Sequence, residues 1–427
     1  MSSIVSKAMI AAIAASAFYT VVPNVASAQT AEIVDDRNVS VRERARPGYD
    51  AVGVRAGAFT VFPEASVTGS FNDNIYATNA NTESDFVTTL GARVSAVSTW
   101  SRHALNLRGG VAQHLYADND DEDRFDWDIG GDGRIDITRD TNIVAGLSYA
   151  ELTEDRGAPN AAGIGFAAEP TEYSLLQANI GLDHRFNRVT SRIGATYADY
   201  DYDDTPAIGG GAPLDQDFRD REEFTQFLRL GYDVSPDTNI YVQGTLNQRE
   251  YDQQPPVVAL NRDSDGYAVV VGSDFRLTNL AQGGIFVGYQ SQEYDDPTLP
   301  EIDGLAFGAN VDWFVTPLTT VRFEAASTIE ETVSAGASGY TDNSVGIRVD
   351  HELMRNVILG GKVSFANQDY EGVARDDDVV RAGLGVDYLL NRNLSLRLGY
   401  DYTDRDSSVA GLDYSRNEVG LTLKAGL

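Results

Sequence analysis

Along most of this chain, apolar and polar residues alternate with a period of two. From Leu394 to Tyr402 the even positions are Leu, Leu, Leu, Tyr and Tyr, and the odd positions are Ser, Arg, Gly and Asp. Ile240 to Asn247 and Val419 to Ala425 repeat the pattern. Successive side chains on a strand point to opposite faces, so each of these segments turns one face to oil and the other to water. Segments of about 10 residues with this alternation, separated by turns, predict a transmembrane β-barrel.

Eight short turns punctuate the pattern: Ser101-Arg102, Arg139-Asp140, Asn187-Arg188, Pro236-Asp237, Asn279-Leu280, Pro317-Leu318, Met354-Arg355 and Asn391-Arg392. Asn, Asp and Pro suit tight turns. The turns recur roughly every 40 residues, the length of one hairpin plus one loop. The expected fold is therefore all-β, a transmembrane antiparallel up-and-down β-barrel of about 18 strands, with short periplasmic turns and longer outer loops. Gly209-Gly210-Gly211 and Pro255-Pro256 mark the outer loops expected to be most mobile.

The N-terminus adds two segments. Lys7, the apolar run Ala8 to Phe18 and Ala26-Ser27-Ala28 read as a signal peptide over 1–28. Residues 29–55 are polar and charged, and include Arg42-Glu43-Arg44-Ala45-Arg46-Pro47. They predict a flexible periplasmic segment. The barrel is then expected over 56–427.

Composition narrows the chemistry. The 427 residues carry 33 basic and 64 acidic side chains, a net charge of −31. Nucleic acid is a poor partner for such a surface. Cysteine is absent, which excludes disulfides, a lipid-modified cysteine and thiolate metal sites. The four histidines stand in no arrangement with Ser and an acid that would make a nucleophile, so no catalytic site is expected. Asp263-Ser264-Asp265-Gly266 is half a calcium loop without its remaining ligands. No metal or cofactor is expected.

The lumenal face can be read by parity. On the strands that descend to the short turns, an Asp follows an apolar residue, so the Asp faces inward. Asp136, Asp183, Asp233, Asp274, Asp312, Asp350 and Asp387 form an expected acidic band near the periplasmic mouth. Carboxylate rings favour cations in pores. The same residues could instead pair with arginines near the turns, such as Arg188, Arg355 and Arg392, and pin the hairpins. Arg134, Arg192, Arg229, Arg276, Arg322, Arg348, Lys362, Arg397 and Lys424 also fall on inward positions. Inward glycines such as Gly181, Gly231, Gly272 and Gly385 are expected to leave room for water. Trp313 and Tyr388 at one interface, and Tyr251, Tyr294, Tyr370 and Tyr402 at the other, read as the aromatic girdles.

Several segments also carry a family resemblance. RAGAFTVFPEASVTGSFNDN from Arg55, LTEDRG from Leu152, HRFNR from His184, GLAFGANVDW from Gly304, DHELMRN from Asp350 and LLNRNLSLRLGYDY from Leu389 together resemble the outer-membrane family putative beta-barrel porin 2. The resemblance spans nearly all of the chain after the signal. It implies the cell outer membrane, with lipid and lipopolysaccharide around the barrel and barrel-insertion machinery as a partner. The gene context of relatives implies polysaccharide-export components as further partners, and passage of a polar solute or secreted polysaccharide as the function. A general or nutrient porin, and a structural or surface-interaction barrel with a blocked lumen, are the alternatives.

Overall fold

In this computed structural model, residues 39–161, 167–255, 258–277 and 280–427 are described. The signal peptide, the first part of the N-terminal segment, Asn279 of the fifth turn and Pro256 lie outside them. In chain order the strands are β1 (Val54–Ala56), β2 (Phe59–Asn72), β3 (Asp85–Ser98), β4 (Ala104–Tyr116), β5 (Arg124–Asp136), β6 (Thr141–Thr153), β7 (Glu172–Phe186), β8 (Val189–Tyr202) and β9 (Arg221–Ser235). They continue as β10 (Thr238–Tyr251), β11 (Ser264–Leu277), β12 (Ala281–Tyr294), β13 (Ile302–Thr316), β14 (Thr319–Glu331) and β15 (Gly339–Met354). The last four are β16 (Val357–Tyr370), β17 (Arg375–Leu389), β18 (Leu394–Ser407) and β19 (Tyr414–Gly426).

Each strand from β2 to β19 pairs antiparallel with the next, and β19 returns to β2 through pairs such as Leu421↔Gly69 and Ala425↔Ala65. The result is a closed barrel of 18 strands, as the alternation and the turn count predict. β1 is a nineteenth strand, joined only to the start of β2 and outside the ring. Closure gives each strand of the ring a paired neighbour on both sides, as hydrocarbon requires.

The two faces divide as expected. Leu394, Leu398 and Tyr400 are exposed on the outside of β18, opposite Ala425, Leu421 and Val419 of β19. Their neighbours Arg397 and Asp401 face inward and make ion pairs there. Trp313 and Tyr388 are exposed beside the short turns, and Tyr267 and Tyr289 form an outward aromatic pair towards the other end. Tyr402 has the outward parity of Tyr400.

Three expected girdle residues lie on the other face. Tyr251, Tyr294 and Tyr370 are buried on the inner wall. Parity accounts for the correction: Val242, Val287 and Phe365 are exposed outside, and each tyrosine lies an odd number of residues further along its strand. The inward glycines also differ from expectation. A Cβ at Gly231 would lie 2.5 Å from the Asn239 and Thr190 side chains, and one at Gly272 would lie 2.4 Å from the Tyr241 ring. Side chains from neighbouring strands already fill that space.

One pair of substitutions tests the register. Leu398 is 52% exposed on the lipid face. Leu398→Arg should cost about 2–4 kcal/mol near mid-strand. Gly399 faces inward, with nothing within 4 Å of an added Cβ. Gly399→Arg should therefore assemble far better than Leu398→Arg, read as the fraction of heat-modifiable barrel in isolated membranes. Equal assembly of the two variants would contradict the register.

Candidate functional site

The inner wall near the short turns is built from ion pairs. Asp183 lies directly opposite Arg192, Asp312 opposite Arg322, and Asp387 opposite Arg397, so cross-strand register makes each pair. Arg192 Nη2 reaches Asp183 at 3.0 Å, Arg322 Nε reaches Asp312 at 2.7 Å, and Arg397 Nη1 reaches Asp387 at 3.2 Å. Arg134 pairs with Asp136 at 2.9 Å, Arg229 with Asp274 at 3.4 Å, and Arg185 with Asp233. Asp136 is pinned further, because it accepts from the His103 N–H while its own N–H donates to His103 Nδ1. Lys362 pairs with Asp401 at 2.6 Å and Lys424 with Glu64 at 2.9 Å. Arg348 stands between Arg322 and Lys362 in a cross-strand cationic row. Arg276 Nε is buried without a hydrogen-bond partner among the described residues.

All seven carboxylates of the expected acidic band are thus matched with cations. Among the described residues, the partners are wall arginines and one arginine of the N-terminal segment, rather than Arg188, Arg355 or Arg392 at the turns. A carboxylate with an arginine in hydrogen-bond contact contributes little net field to a pore.

The N-terminal segment closes the same end. Composition predicts flexibility, but residues 40–46 are seated on the inner wall of β14 to β17. Val41 is fully buried, and its N–H donates to Thr320 Oγ1 at 3.0 Å. Arg42 reaches Asp350 at 2.6 Å and Asp387 at 3.1 Å. Arg44 and Arg46 converge on the buried Glu352 at 3.4 and 3.1 Å. Arg44 also donates to the Pro317 carbonyl, and Arg392 holds the Pro47 carbonyl at 2.8 Å. Gly360 makes room, since a Cβ there would lie 2.8 Å from Arg42 Nη2. The Arg-Glu-Arg-Ala-Arg spacing was visible in sequence; the acceptors about 300 residues later were not.

At the long-loop end two elements fold inward. The first is the β14–β15 hairpin. β13 and β14 pair only as far as Gly308↔Ala326, although β13 begins at Ile302 and β14 runs to Glu331. Beyond Ala326 the hairpin leaves β13 and leans over the inner wall of β10 to β12. Ser327 Oγ contacts Gln290 Nε2 at 3.2 Å, and the Ile329 carbonyl accepts from Arg249 at 2.8 Å. The Glu331 carboxylate accepts from the Tyr251 and Tyr294 hydroxyls at 2.8 and 3.2 Å and from Arg249 at 2.5 Å.

The second element is the start of the loop after β6. Its root is tied by Glu154 to Arg219 and by Arg156 to Glu122. Asp155 then pairs with Arg416 of β19 at 3.1 Å, and the Tyr414 hydroxyl donates to the Gly157 carbonyl at 3.2 Å. Asn160 donates to the Glu331 carbonyl at 3.3 Å and accepts from the Val333 N–H at 3.2 Å. β14 is eight steps from β6 around the ring, close to the opposite wall. The loop therefore spans the mouth as a chord and meets the hairpin. Burial raises the pKa of the Asp155 carboxyl, but Arg416, Arg124 and the Gly157 N–H outweigh burial and hold it below its ordinary value.

Two measurements probe these closures. Trypsin should spare Arg42 and Arg44 in the folded barrel, the Arg46-Pro47 bond being resistant in any conformation. Glu352→Gln leaves two buried guanidinium groups without their carboxylate, which costs about 3–5 kcal/mol, and should speed cleavage there more than tenfold. Unchanged cleavage would place the segment elsewhere. For the loop, a depressed carboxyl pKa means that the Asp155–Arg416 contact contributes fully at neutral pH and is lost as pH falls through the depressed value. Acid should free residues 155–160 only below the ordinary carboxylate range, whereas Asp155→Asn should loosen them at every pH, read by hydrogen exchange at Gly157.

The outer membrane protein OpdK of Pseudomonas aeruginosa is similar at 11% identity and a TM-score of 0.43, covering 86% of this chain and 99% of that one. OpdO of the same organism gives 14% identity, a TM-score of 0.43, and coverage of 86% and 97%. The siderophore receptor PiuA of Acinetobacter baumannii gives 9%, 0.43, and coverage of 88% and 82%. No curated protein matches the chain. The family model for putative beta-barrel porin 2 matches residues 46–426, from the arginine that grips Glu352 to the last residue of the closing strand. With its closed 18-strand barrel, the chain belongs to the putative beta-barrel porin 2 family and is a porin-like protein of the cell outer membrane.

Proposed function

We propose that this barrel is a constricted diffusion channel for small polar solutes, the nutrient-porin reading. The observation that carries it is the Asn160 bridge, through which the inward loop and the inward hairpin meet across the mouth. An 18-strand barrel is wide enough for a water-filled lumen. Folding two elements into it narrows the path while leaving charged and hydroxyl groups along the wall. Such a path suits solutes that exchange water for weak polar contacts, and sorts them by size. Secreted polysaccharide, implied by the family resemblance, fits less well, because a polymer would have to displace the loop, the hairpin and the N-terminal segment together. No chemical step is needed for passage, and the reading is of a non-enzymatic channel.

The absence of cysteine makes a clean test available. In the variant Asn160→Cys with Val333→Cys, oxidation should link loop to hairpin, hold single-channel conductance low and suppress its fluctuations. Deleting residues 156–161 should raise conductance several-fold and widen the sugar size limit in liposome swelling. If the unmodified protein admits long oligosaccharides as fast as monosaccharides, the polymer reading replaces this one. If neither the protein nor the deletion variant conducts, the barrel is a structural one.

A further inference from the structure

Arg405 sits on the inward face of β18, two residues from its outer end, and is 2% exposed. Buried arginines elsewhere, on the wall and in the loops, have carboxylate partners: Arg219 holds Glu154, Arg249 holds Glu331, and Arg375 holds Asp377. Arg405 has none among the described residues. Its Nε and Nη2 are both buried without a hydrogen-bond partner. These two atoms form one edge of the guanidinium, the fork that binds a carboxylate or phosphate through two parallel hydrogen bonds. The Tyr414 ring lies 5.5 Å from the guanidinium, but a buried cation without an anionic partner is costly unless something completes it.

The surroundings supply further groups of the right kind. Arg405 lies opposite Val379 on one side and Tyr414 on the other. Two strands away, Tyr370 stacks on Tyr340 with ring centroids 4.8 Å apart and lies under Arg375. The Tyr370 hydroxyl is also buried without a hydrogen-bond partner among the described residues. The nearby carboxylate of Asp377 is already taken by Arg375 and Ser407. Above Arg405, Tyr414 is tied to Gly157 of the inward loop, and Arg416 to Asp155.

We infer that Arg405 is the anchor of an oxyanion-binding site in the outer half of the lumen, with the Tyr370 hydroxyl as a second donor and the 155–160 loop as its cover. The ligand is the carboxylate or phosphate group of a small solute, held bidentate by Nε–H and Nη2–H. Because both atoms are buried, the anion enters when the loop lifts, so the site belongs to the path that the loop controls. The assignment rests on the channel reading for its physiological meaning, while binding itself does not require conduction.

Binding is measured directly on the detergent-folded full chain by calorimetry, with inorganic phosphate and with succinate as separate probes at fixed ionic strength. Saturable binding of at least one is expected, and the pair distinguishes phosphate from carboxylate preference. Arg405→Gln should weaken it at least tenfold. Arg405→Lys keeps the charge but loses the fork and should fall between the two. Tyr370→Phe keeps the ring stack and should lose a smaller factor, which guards against misfolding of the arginine variants. Oxidising the Asn160→Cys, Val333→Cys variant should block binding, and reduction should restore it. No saturable binding, or equal binding by Arg405→Gln, would overturn the site whether or not the barrel conducts. Binding by a barrel that does not conduct would overturn the channel reading alone.

Discussion

Backbone hydrogen bonding inside hydrocarbon is the constraint on which this structure depends. Each N–H and C=O that crosses the membrane needs a partner, and a sheet supplies one only if it has no edge. The pairing of β19 with β2 meets that condition. Once the ring closes, every strand has one face committed to lipid and one to the interior. The period-two pattern follows directly, because an apolar side chain is stable only on the first face and a charge only on the second. The solvent-like average composition hides this, since only alternate strand residues meet lipid.

Closure also explains the ion pairs of the inner wall. Charges on neighbouring strands are brought opposite one another by register, as with Asp183 and Arg192 or Asp312 and Arg322. Each pair satisfies two groups that would otherwise be poorly hydrated between close side chains. The expected acidic ring is thereby neutralised along its length. Asp350 and Glu352 draw on arginines of the N-terminal segment instead, and that borrowing brings residues 40–46 into the barrel. A carboxylate band and a docked segment are two aspects of one requirement for charge matching.

The other mouth uses a different means. The β14–β15 hairpin gives up pairing with β13 after Ala326 and regains contacts on the inner wall through Ile329 and Glu331. Among the described residues, the chord loop then bonds to the backbone of that hairpin through a single asparagine. Among the described residues few interactions secure the crossing compared with a strand ladder, so the mouth is the part of the barrel suited to opening. Arg405 lies beneath it with a fork that no described residue fills, where an incoming anion would complete the pair.

By itself the sequence determined the barrel, its 18 strands, the positions of its turns and which residues face inward. These properties follow from local alternation and from turn chemistry, which need no knowledge of distant residues. It also carried unread information: counting parity from Val242 to Tyr251 already places that tyrosine inside. Tertiary structure alone decided the partners. Arg42 and Asp350 are 308 residues apart, and Asn160 and Glu331 are 171 apart. No local pattern links such residues, because closing the ring is what brings them together. Whether a loop folds out or in depends likewise on acceptors on the far wall, and these exist as a surface only after the barrel has formed.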